Sequence, residues 1–350
     1  ISFEEDVLAN SYIDLNPSYD ESQNAYPIRI SVKEGTDMTS LAPIFELTPG
    51  ATISPASGSV QNFTTPVRYT VTSEDKAWHR VYAITAREQK ASNIPTTYHF
   101  EKVRIMQNVW QEFYEEQDSG NELTWASGNK GFKWAMSEAA TEDYPTTQID
   151  NGKTGKCVKL ETRLTGDLGN MVGMPIAAGN LFIGSFDMLN AITNPLSATR
   201  FGTPFYNKPL RLTGYYKYKA GEQFYENGEY TSRKDIFNIY AIFYDGVKYD
   251  SAGKGTDVTL DGNLPNQNYE HSSMVALALV SNPQETEGDE WKFFDIPFDY
   301  QRYGKKIDEA RLAKGEYKIG IIFASSKDGA TFEGAPGSTL LIDEVELIYE

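Results

Sequence analysis

The sequence predicts an all-β protein made of two β-sandwiches in series. Short runs of β-branched and aromatic residues recur along the chain, with Gly, Pro, Asn or Asp between them, and these four residue types favour turns. Apolar residues at helical spacing are nearly absent. At 350 residues the chain exceeds the usual size of one domain, so two domains are expected.

The composition excludes several classes of protein. A formal net charge of −17 opposes binding to nucleic acid or to an anionic membrane surface, because both are negatively charged. A single cysteine cannot form an internal disulfide. Aromatic residues make up 13% of the chain, which indicates a folded core and not a disordered acidic segment. No stretch approaches the ~20 apolar residues of a transmembrane helix.

The first ninety residues contain strands in which apolar and polar side chains alternate. Several such strands within about 100 residues predict a β-sandwich domain at residues 1–90. The polar, Pro-containing segment 88–97 is the expected linker. The predicted strands are residues 28–32, 67–72 and 80–86, and the predicted turns are residues 49–51 and 54–58.

Residues 93–350 predict a second, larger sandwich. Eight or more strands over ~250 residues are typical of a jelly roll, in which two antiparallel sheets pack face to face. Only residues 305–314 indicate a short helix, and residues 109–117 fit either a strand or a helix. The predicted strands are residues 157–164, 181–188, 210–218, 235–244, 274–280, 291–298, 316–324 and 339–349.

The N-terminal domain resembles the immunoglobulin-like module found at the N-terminus of many Bacteroidetes surface proteins. The resemblance rests on GTDMTSLAP at 35–43, PGATISPASGSV at 49–60 and NFTTPVRYTVTSED at 62–75. It implies a spacer domain in an exported lipoprotein at the cell surface, in the outer membrane or in the periplasm. A signal peptide and a lipid anchor upstream of Ile1 are then expected.

Residues 97–350 resemble the putative carbohydrate metabolism domain of Bacteroidetes. The resemblance implies a galactose-binding-like jelly roll, related to carbohydrate-binding modules, and a role in glycan use. It rests on Trp134 and on WASGN at 125–129, GNLFIGSF at 179–186, FGTPF at 201–205, KPLRLTGYYKY at 208–218 and GAPGSTLLIDEVEL at 334–347.

The sequence carries no complete motif of a catalytic site. The GxSxG, P-loop, HExxH and EF-hand patterns are missing, and His79, His99 and His271 share no metal-ligand spacing. Glycoside hydrolysis needs only two carboxyl groups, roughly 5 to 9.5 Å apart. Because the sequence gives no distances among its 49 acidic residues, a catalytic pair cannot be chosen.

A sugar-binding site combines aromatic rings, which stack on the C–H face of a pyranose, with polar groups that bind its hydroxyls. The segment from Trp125 to Trp134 offers two indoles and Asn129 around glycines that allow a tight exposed turn. We predict that these three residues bind the sugar. The alternative is that both tryptophans belong to the core.

Two further strands offer the same mixture. In the strand 210–218 we predict that Tyr216 and Tyr218 contact the ligand, although ordinary strand composition also explains them. Tyr240 lies on the more polar face of the next long strand, which suits a shallow ligand surface or a covering loop. Arg200 offers a planar guanidinium to a pair of hydroxyls, or is a structural arginine.

Asp343 is the candidate metal ligand. By strand alternation it shares the face of Leu341, Val345, Leu347 and Tyr349. A carboxylate on an apolar face is costly unless it is hydrogen-bonded, paired or bound to a cation. Calcium is therefore a possible cofactor, with hydrogen bonds from loop amides or an arginine, or direct contact with a sugar, as the alternatives.

The sequence thus favours an exported surface protein that binds a polysaccharide or oligosaccharide without catalysis. One alternative is a glycoside hydrolase with an unidentified pair of carboxyl groups. Another is an adhesion or structural module that binds protein through a strand edge or an apolar patch.

Overall fold

The computed structural model describes residues 1–9, 12–15, 17–117 and 120–350, except for the side chain of Ile192. The chain divides into two compact units, residues 1–91 with Glu350 and residues 92–349. Strands hold 42% of the residues and helices 10%, which confirms the all-β prediction. None of the helices in these ranges is long and apolar enough to cross a membrane.

The first unit is built on a four-stranded sheet. Its strand order is β1-β4-β3-β2, with β1 parallel to β4 and the other pairs antiparallel. The alternating residues Ile28, Ile30 and Val32 point into its apolar core, where they join Tyr69 and Ile84. The strands are β1 (Tyr26–Lys33), β2 (Thr52–Ser54), β3 (Val67–Thr72) and β4 (His79–Gln89).

In its described residues, the second unit contains many short strands and four short α-helices. The strands are β5 (Thr97–Tyr98), β6 (Val103–Met106), β7 (Trp110–Glu116), β8 (Glu122–Thr124), β9 (Thr146–Asp150), β10 (Lys156–Glu161), β11 (Arg163–Leu164), β12 (Ile176–Ala177), β13 (Asn180–Phe182), β14 (Gly184–Phe186), β15 (Thr199–Phe201), β16 (Thr203–Pro204), β17 (Pro209–Lys219), β18 (Phe224–Glu226), β19 (Glu229–Thr231), β20 (Asn238–Asp245), β21 (Val247–Tyr249), β22 (Gly255–Asp257), β23 (Leu260–Asp261), β24 (Met274–Leu279), β25 (Lys292–Pro297), β26 (Tyr317–Ala324) and β27 (Thr339–Tyr349). The helices are α1 (Asn129–Ala135), α2 (Gly166–Met171), α3 (Met188–Thr193) and α4 (Glu309–Leu312).

Two antiparallel sheets form the sandwich of the second unit. The six-stranded sheet has the order β25-β17-β27-β10-β9, with β5 paired to β27. The five-stranded sheet has the order β13-β26-β20-β24, with β16 paired to β26. Inward side chains of both sheets share one apolar core, to which Tyr216 and Leu347 contribute from the first sheet and Ile239 and Ile321 from the second. The predicted sandwich architecture is therefore correct.

The five-stranded sheet has a second apolar layer on its outer face. Alternate residues of β20 serve the two layers, because Ile239 and Phe243 join the main core whereas Tyr240 and Ile242 join a separate cluster. The small sheet β14-β15-β23 contributes Phe201 to this cluster. Other parts of the unit therefore cover the more polar face of β20. The sequence left two alternatives for this face, an open ligand surface and a covered one, and the structure has the covered one.

The structure decides one open prediction and corrects two others. Residues 109–117, which fit either a strand or a helix, contain the strand β7. The helix predicted at residues 305–314 is the single turn α4, in which the carboxylate of Asp308 caps two backbone N–H groups. Residues 181–188 hold the ends of two short strands, β13 and β14, and the start of α3.

Candidate functional site

Trp125 lies in the core of the second unit. It is 1% exposed, and its ring packs against the rings of Tyr98, Phe100 and Phe323. A ring that stacks on a sugar has to present a face to solvent. The prediction that Trp125 binds a sugar is therefore wrong, and its alternative, a core tryptophan, is correct.

Asn129 is buried as well and ties two segments together. Its amide nitrogen donates to the carbonyl of Thr146 at 2.7 Å, and its amide oxygen accepts from the N–H of Thr146 at 3.1 Å. Trp134, in contrast, lies on α1 and is 39% exposed. The predicted exposed turn does not form, because α1 begins at Asn129 and separates a buried indole from an exposed one.

The two faces of β17 have opposite roles. Tyr216 and Tyr218 are each 2% exposed and pack on Phe237 in the core, so they cannot bind a glycan as predicted. Tyr215 and Lys217 point to the outer face of the six-stranded sheet and are half-buried. Both faces of this strand carry tyrosine, so the sequence alone did not show which face the core would cover.

An aromatic surface lies on this outer face, and we call Tyr215, Trp291 and Phe293 the aromatic platform. Tyr215 and Phe293 are partners in the β17–β25 ladder, with ring centroids 5.2 Å apart. Phe293 is 53% exposed, while Tyr215 and Trp291 are half-buried. Because β25 is an edge strand of the sheet, the platform lies at the border of the outer face.

Charged side chains contact the platform. The Nζ atom of Lys153 lies 4.8 Å from the ring centroid of Tyr215, and the Nζ atom of Lys217 lies 5.0 Å from that of Trp291. Lys217 also forms an ion pair of 2.5 Å with the exposed carboxylate of Asp289. Ring faces, ammonium donors and carboxylate acceptors therefore meet on one surface of the protein.

Comparison with known families identifies the unit that carries this platform. Residues 99–348 match the family described as "Putative carbohydrate metabolism domain". The chain belongs to this family. Residues 14–86, in the first unit, match the family described as "SGBP, N-terminal".

Two solved structures resemble this member of the carbohydrate metabolism domain family. A putative glycoside hydrolase from Bacteroides thetaiotaomicron is 46% identical over 93% of this chain and 91% of its own, with a TM-score of 0.66. A putative glycoside hydrolase from Bacteroides vulgatus is 50% identical over 74% of this chain and 100% of its own, with a TM-score of 0.68. The curated proteins include no significant match to the chain.

In this carbohydrate metabolism domain Asp343 does not point to the apolar face of β27. The ladder between β27 and β17 shifts its register after the pair Asp343–Tyr215, and Glu344 has a φ of +48°. This β-bulge reverses the alternation predicted from the sequence, so Asp343 lies on the outer face beside Tyr215. The inward residues on either side of the bulge are Leu340, Ile342, Val345 and Leu347.

The loop 151–155 covers Asp343 completely. The carboxylate accepts hydrogen bonds from the N–H of Thr154 at 3.0 Å and the N–H of Glu344 at 2.9 Å. A Cβ atom on Gly152 would lie only 2.7 Å from Asp343 Oδ2, so the loop needs glycine there. Asp343 therefore holds the loop that carries Lys153 to the platform.

The geometry supports the alternative in which loop amides satisfy Asp343. In the described ranges, no three His, Cys, Asp or Glu side chains come close enough together to hold a metal ion.

Burial raises the pKa of Asp343 from 3.8 to about 6, against the effect of its backbone hydrogen bonds. The folded state therefore keeps the proton between these two values, whereas the unfolded chain loses it. We expect the stability due to Asp343 to fall by up to about 3 kcal/mol as the pH rises from 3.8 to 6, and to stay constant above that.

The measurement is urea unfolding of the wild type and of Asp343→Asn at pH 4.5 and pH 7. The free energy of unfolding of the wild type should exceed that of Asp343→Asn by a larger amount at pH 4.5 than at pH 7. A difference that is equal at both pH values would show that Asp343 does not titrate in this range.

The remaining predicted residues lie on three different elements, α1, β20 and β15. Trp134 and Tyr240 line one cavity on the outer face of the five-stranded sheet. Arg200 is exposed on β15, between Thr199 and Phe201, which line the same cavity. The structure thus brings Trp134 of α1 and Tyr240 of the five-stranded sheet to one cavity, whereas the aromatic platform lies on the six-stranded sheet.

Sequence analysis of this carbohydrate metabolism domain missed Trp291 and Phe293. A signal was present in β25, where Phe294 and Ile296 alternate with polar residues and point into the core. Phe293 occupies an outward position of β25, where the alternation leads one to expect a polar residue. An aromatic side chain in the outward phase of a strand marks a candidate ligand surface.

Proposed function

We propose that the protein binds a glycan on the outer face of its six-stranded sheet. One observation carries this proposal: the rings of Tyr215, Trp291 and Phe293 share an accessible surface with the ammonium groups of Lys153 and Lys217. The proposed partner is the polysaccharide or oligosaccharide that the sequence predicted. The proposed binding residues differ from the predicted ones.

The chemistry of a sugar matches this surface. A pyranose stacks its C–H face on an aromatic ring, and Phe293 offers the most exposed ring of the platform. The hydroxyl groups at the edge of the sugar then reach Lys217 and Asp289, which lie beside Trp291. An open sheet face accepts an internal segment of a long chain, so we expect polysaccharide as well as short oligosaccharides.

The description of the family supports this proposal, because it names carbohydrate metabolism. We further propose display at the cell surface through a lipid anchor. This part of the proposal rests on the resemblance of the first ninety residues to the N-terminal module of Bacteroidetes surface proteins.

Glycoside hydrolysis is a second candidate, supported by the description of both solved relatives as putative glycoside hydrolases. On the platform, the carboxylate of Asp289 is paired with Lys217, and that of Asp295 with Arg211 at 2.6 Å. Asp343 is buried, so it cannot reach a substrate as the loop is placed. These contacts favour binding over hydrolysis at this surface.

A glycan array probed with the full chain tests the proposed function. We expect retention of at least one class of polysaccharide, because a stacked sugar ring buries apolar surface of the platform. Each retained glycan is then incubated with the protein and assayed for new reducing ends. Unchanged reducing ends support a binding protein, whereas their release supports the hydrolase, and no retention on any glycan contradicts the proposal.

A further inference from the structure

An apolar cavity of the second unit lies against the five-stranded sheet, whereas the platform lies on the six-stranded sheet. The cavity is enclosed between the outer face of the five-stranded sheet and a cover that includes α1, α2 and α3. Its volume is about 170 Å³. An engineered apolar cavity of about 150 Å³ holds benzene, so this cavity has room for one ring-sized group.

Aromatic rings dominate the walls. Among the described residues that line the cavity, Lys327 is the only one with a charged side chain. A sugar or an ion would lose more hydration here than the walls could replace. The chief aromatic lining residues are Phe132, Trp134, Phe182, Phe186, Phe201 and Phe332.

Buried polar side chains also line the cavity, and two of them lie on β20. Asn238 is 3% exposed and Tyr240 is 2% exposed, and as alternate residues of β20 they share its outer face. The amide nitrogen of Asn238 donates to the hydroxyl of Tyr269 at 2.9 Å. Within the part of the chain that the structure describes, the amide oxygen of Asn238 and the hydroxyl of Tyr240 have no hydrogen-bond partner.

A third polar atom points to the same chemistry. The hydroxyl of Thr199, another lining residue, is buried without a hydrogen-bond partner among the described residues. A buried polar group that lacks a partner costs about 1–3 kcal/mol. A ligand with a hydroxyl group would satisfy such groups.

Two exposed apolar side chains adjoin lining residues in the sequence. Met171 and Leu189 are each 83% exposed, and they lie next to the lining residues Val172 and Met188. Exposed apolar side chains beside a cavity are consistent with a site for an apolar ligand.

From these contacts we infer a second binding site, whose ligand is a phenol: one aromatic ring with a hydroxyl group. The ring packs among the phenylalanines of the wall. The hydroxyl donates to the amide oxygen of Asn238 and accepts from the hydroxyl of Tyr240. The site is separate from the glycan platform, so either can exist without the other.

Calorimetric titration of the full chain with phenol, toluene and glucose tests the inference. We expect phenol to bind roughly thirtyfold more tightly than toluene, because its two hydrogen bonds are worth about 1 kcal/mol each, and glucose not to bind in the cavity. Tyr240→Phe removes one of these two hydrogen bonds, so it should reduce the preference for phenol roughly fivefold and leave the affinity for toluene unchanged.

Tyr244→Phe is the matched control, because Tyr244 lies on the same face of β20 but donates to the carbonyl of Phe201 at 2.6 Å. Its phenol affinity should equal that of the wild type. If Tyr240→Phe does not fold, Ala330→Trp at the exposed edge of the cavity should block phenol. Equal affinities for phenol and toluene, no binding of phenol, or unchanged binding in Ala330→Trp would overturn the inference.

Discussion

Replacing Tyr215 and Phe293 together by alanine is expected to weaken glycan binding about a hundredfold. Each stacked ring contributes up to about 1.5 kcal/mol, and 1.4 kcal/mol corresponds to a tenfold change in affinity. Both rings are at least partly exposed, so the double variant should remain folded. Calorimetric titration with the glycan retained on the array measures the loss.

Tyr230→Ala is the control for this experiment. Tyr230 is 52% exposed, similar to Phe293, but it lies on the β18–β19 hairpin and not on the platform. Its variant should bind the glycan normally. If Tyr215→Ala/Phe293→Ala binds like the wild type while Trp134→Ala does not, the glycan site is the cavity and the platform assignment is wrong.

Trp125→Ala is expected to lower the free energy of unfolding by about 3–5 kcal/mol. The substitution removes a 1% exposed indole that contacts three aromatic rings, and the surrounding sheets cannot close the space that remains. Urea or thermal unfolding of the full chain measures the effect.

Two variants distinguish packing from function at this position. The indole nitrogen of Trp125 has no hydrogen-bond partner among the described residues, so Trp125→Phe keeps most of the packing and should cost much less than Trp125→Ala. Trp134→Ala should change stability little, because Trp134 is 39% exposed. A small loss of stability for Trp125→Ala would contradict the assignment of this residue to the core.

The amino-acid sequence located most of the strands. Period-two alternation placed β17 at residues 210–218, against an observed range of Pro209–Lys219, and placed β27 correctly at 339–349. The sequence indicated these strands well because each needs apolar residues at every second position to cover a core. Short helices such as α1 and α2 were missed, since one or two turns leave too few residues for a period to show.

The candidate site was less predictable than the fold. Alternation separated Tyr215 and Lys217 from Tyr216 and Tyr218 but did not say which pair faces water. That choice depends on the inner face of the opposite sheet, where Phe237 receives both core tyrosines. Burial is set by contacts between residues far apart in sequence, which no local pattern contains.

Asp343 shows the same limit at a single residue. The unusual acid within an apolar strand was visible in the sequence, and it does mark a constrained position. Its direction was decided by the β-bulge at Glu344, and its partners by the loop 151–155, nearly two hundred residues away in the chain.

By itself, the sequence determined the all-β class, the strand positions and the resemblance to a carbohydrate family, because local alternation and local motifs encode these properties. The tertiary structure alone decided that Trp125 is core, that Tyr215 and Phe293 meet on an open face, and that Asn238 and Tyr240 line a cavity. The physical reason is that a side chain becomes a core residue or a binding residue according to what packs against it, and only the assembled sheets supply that neighbour.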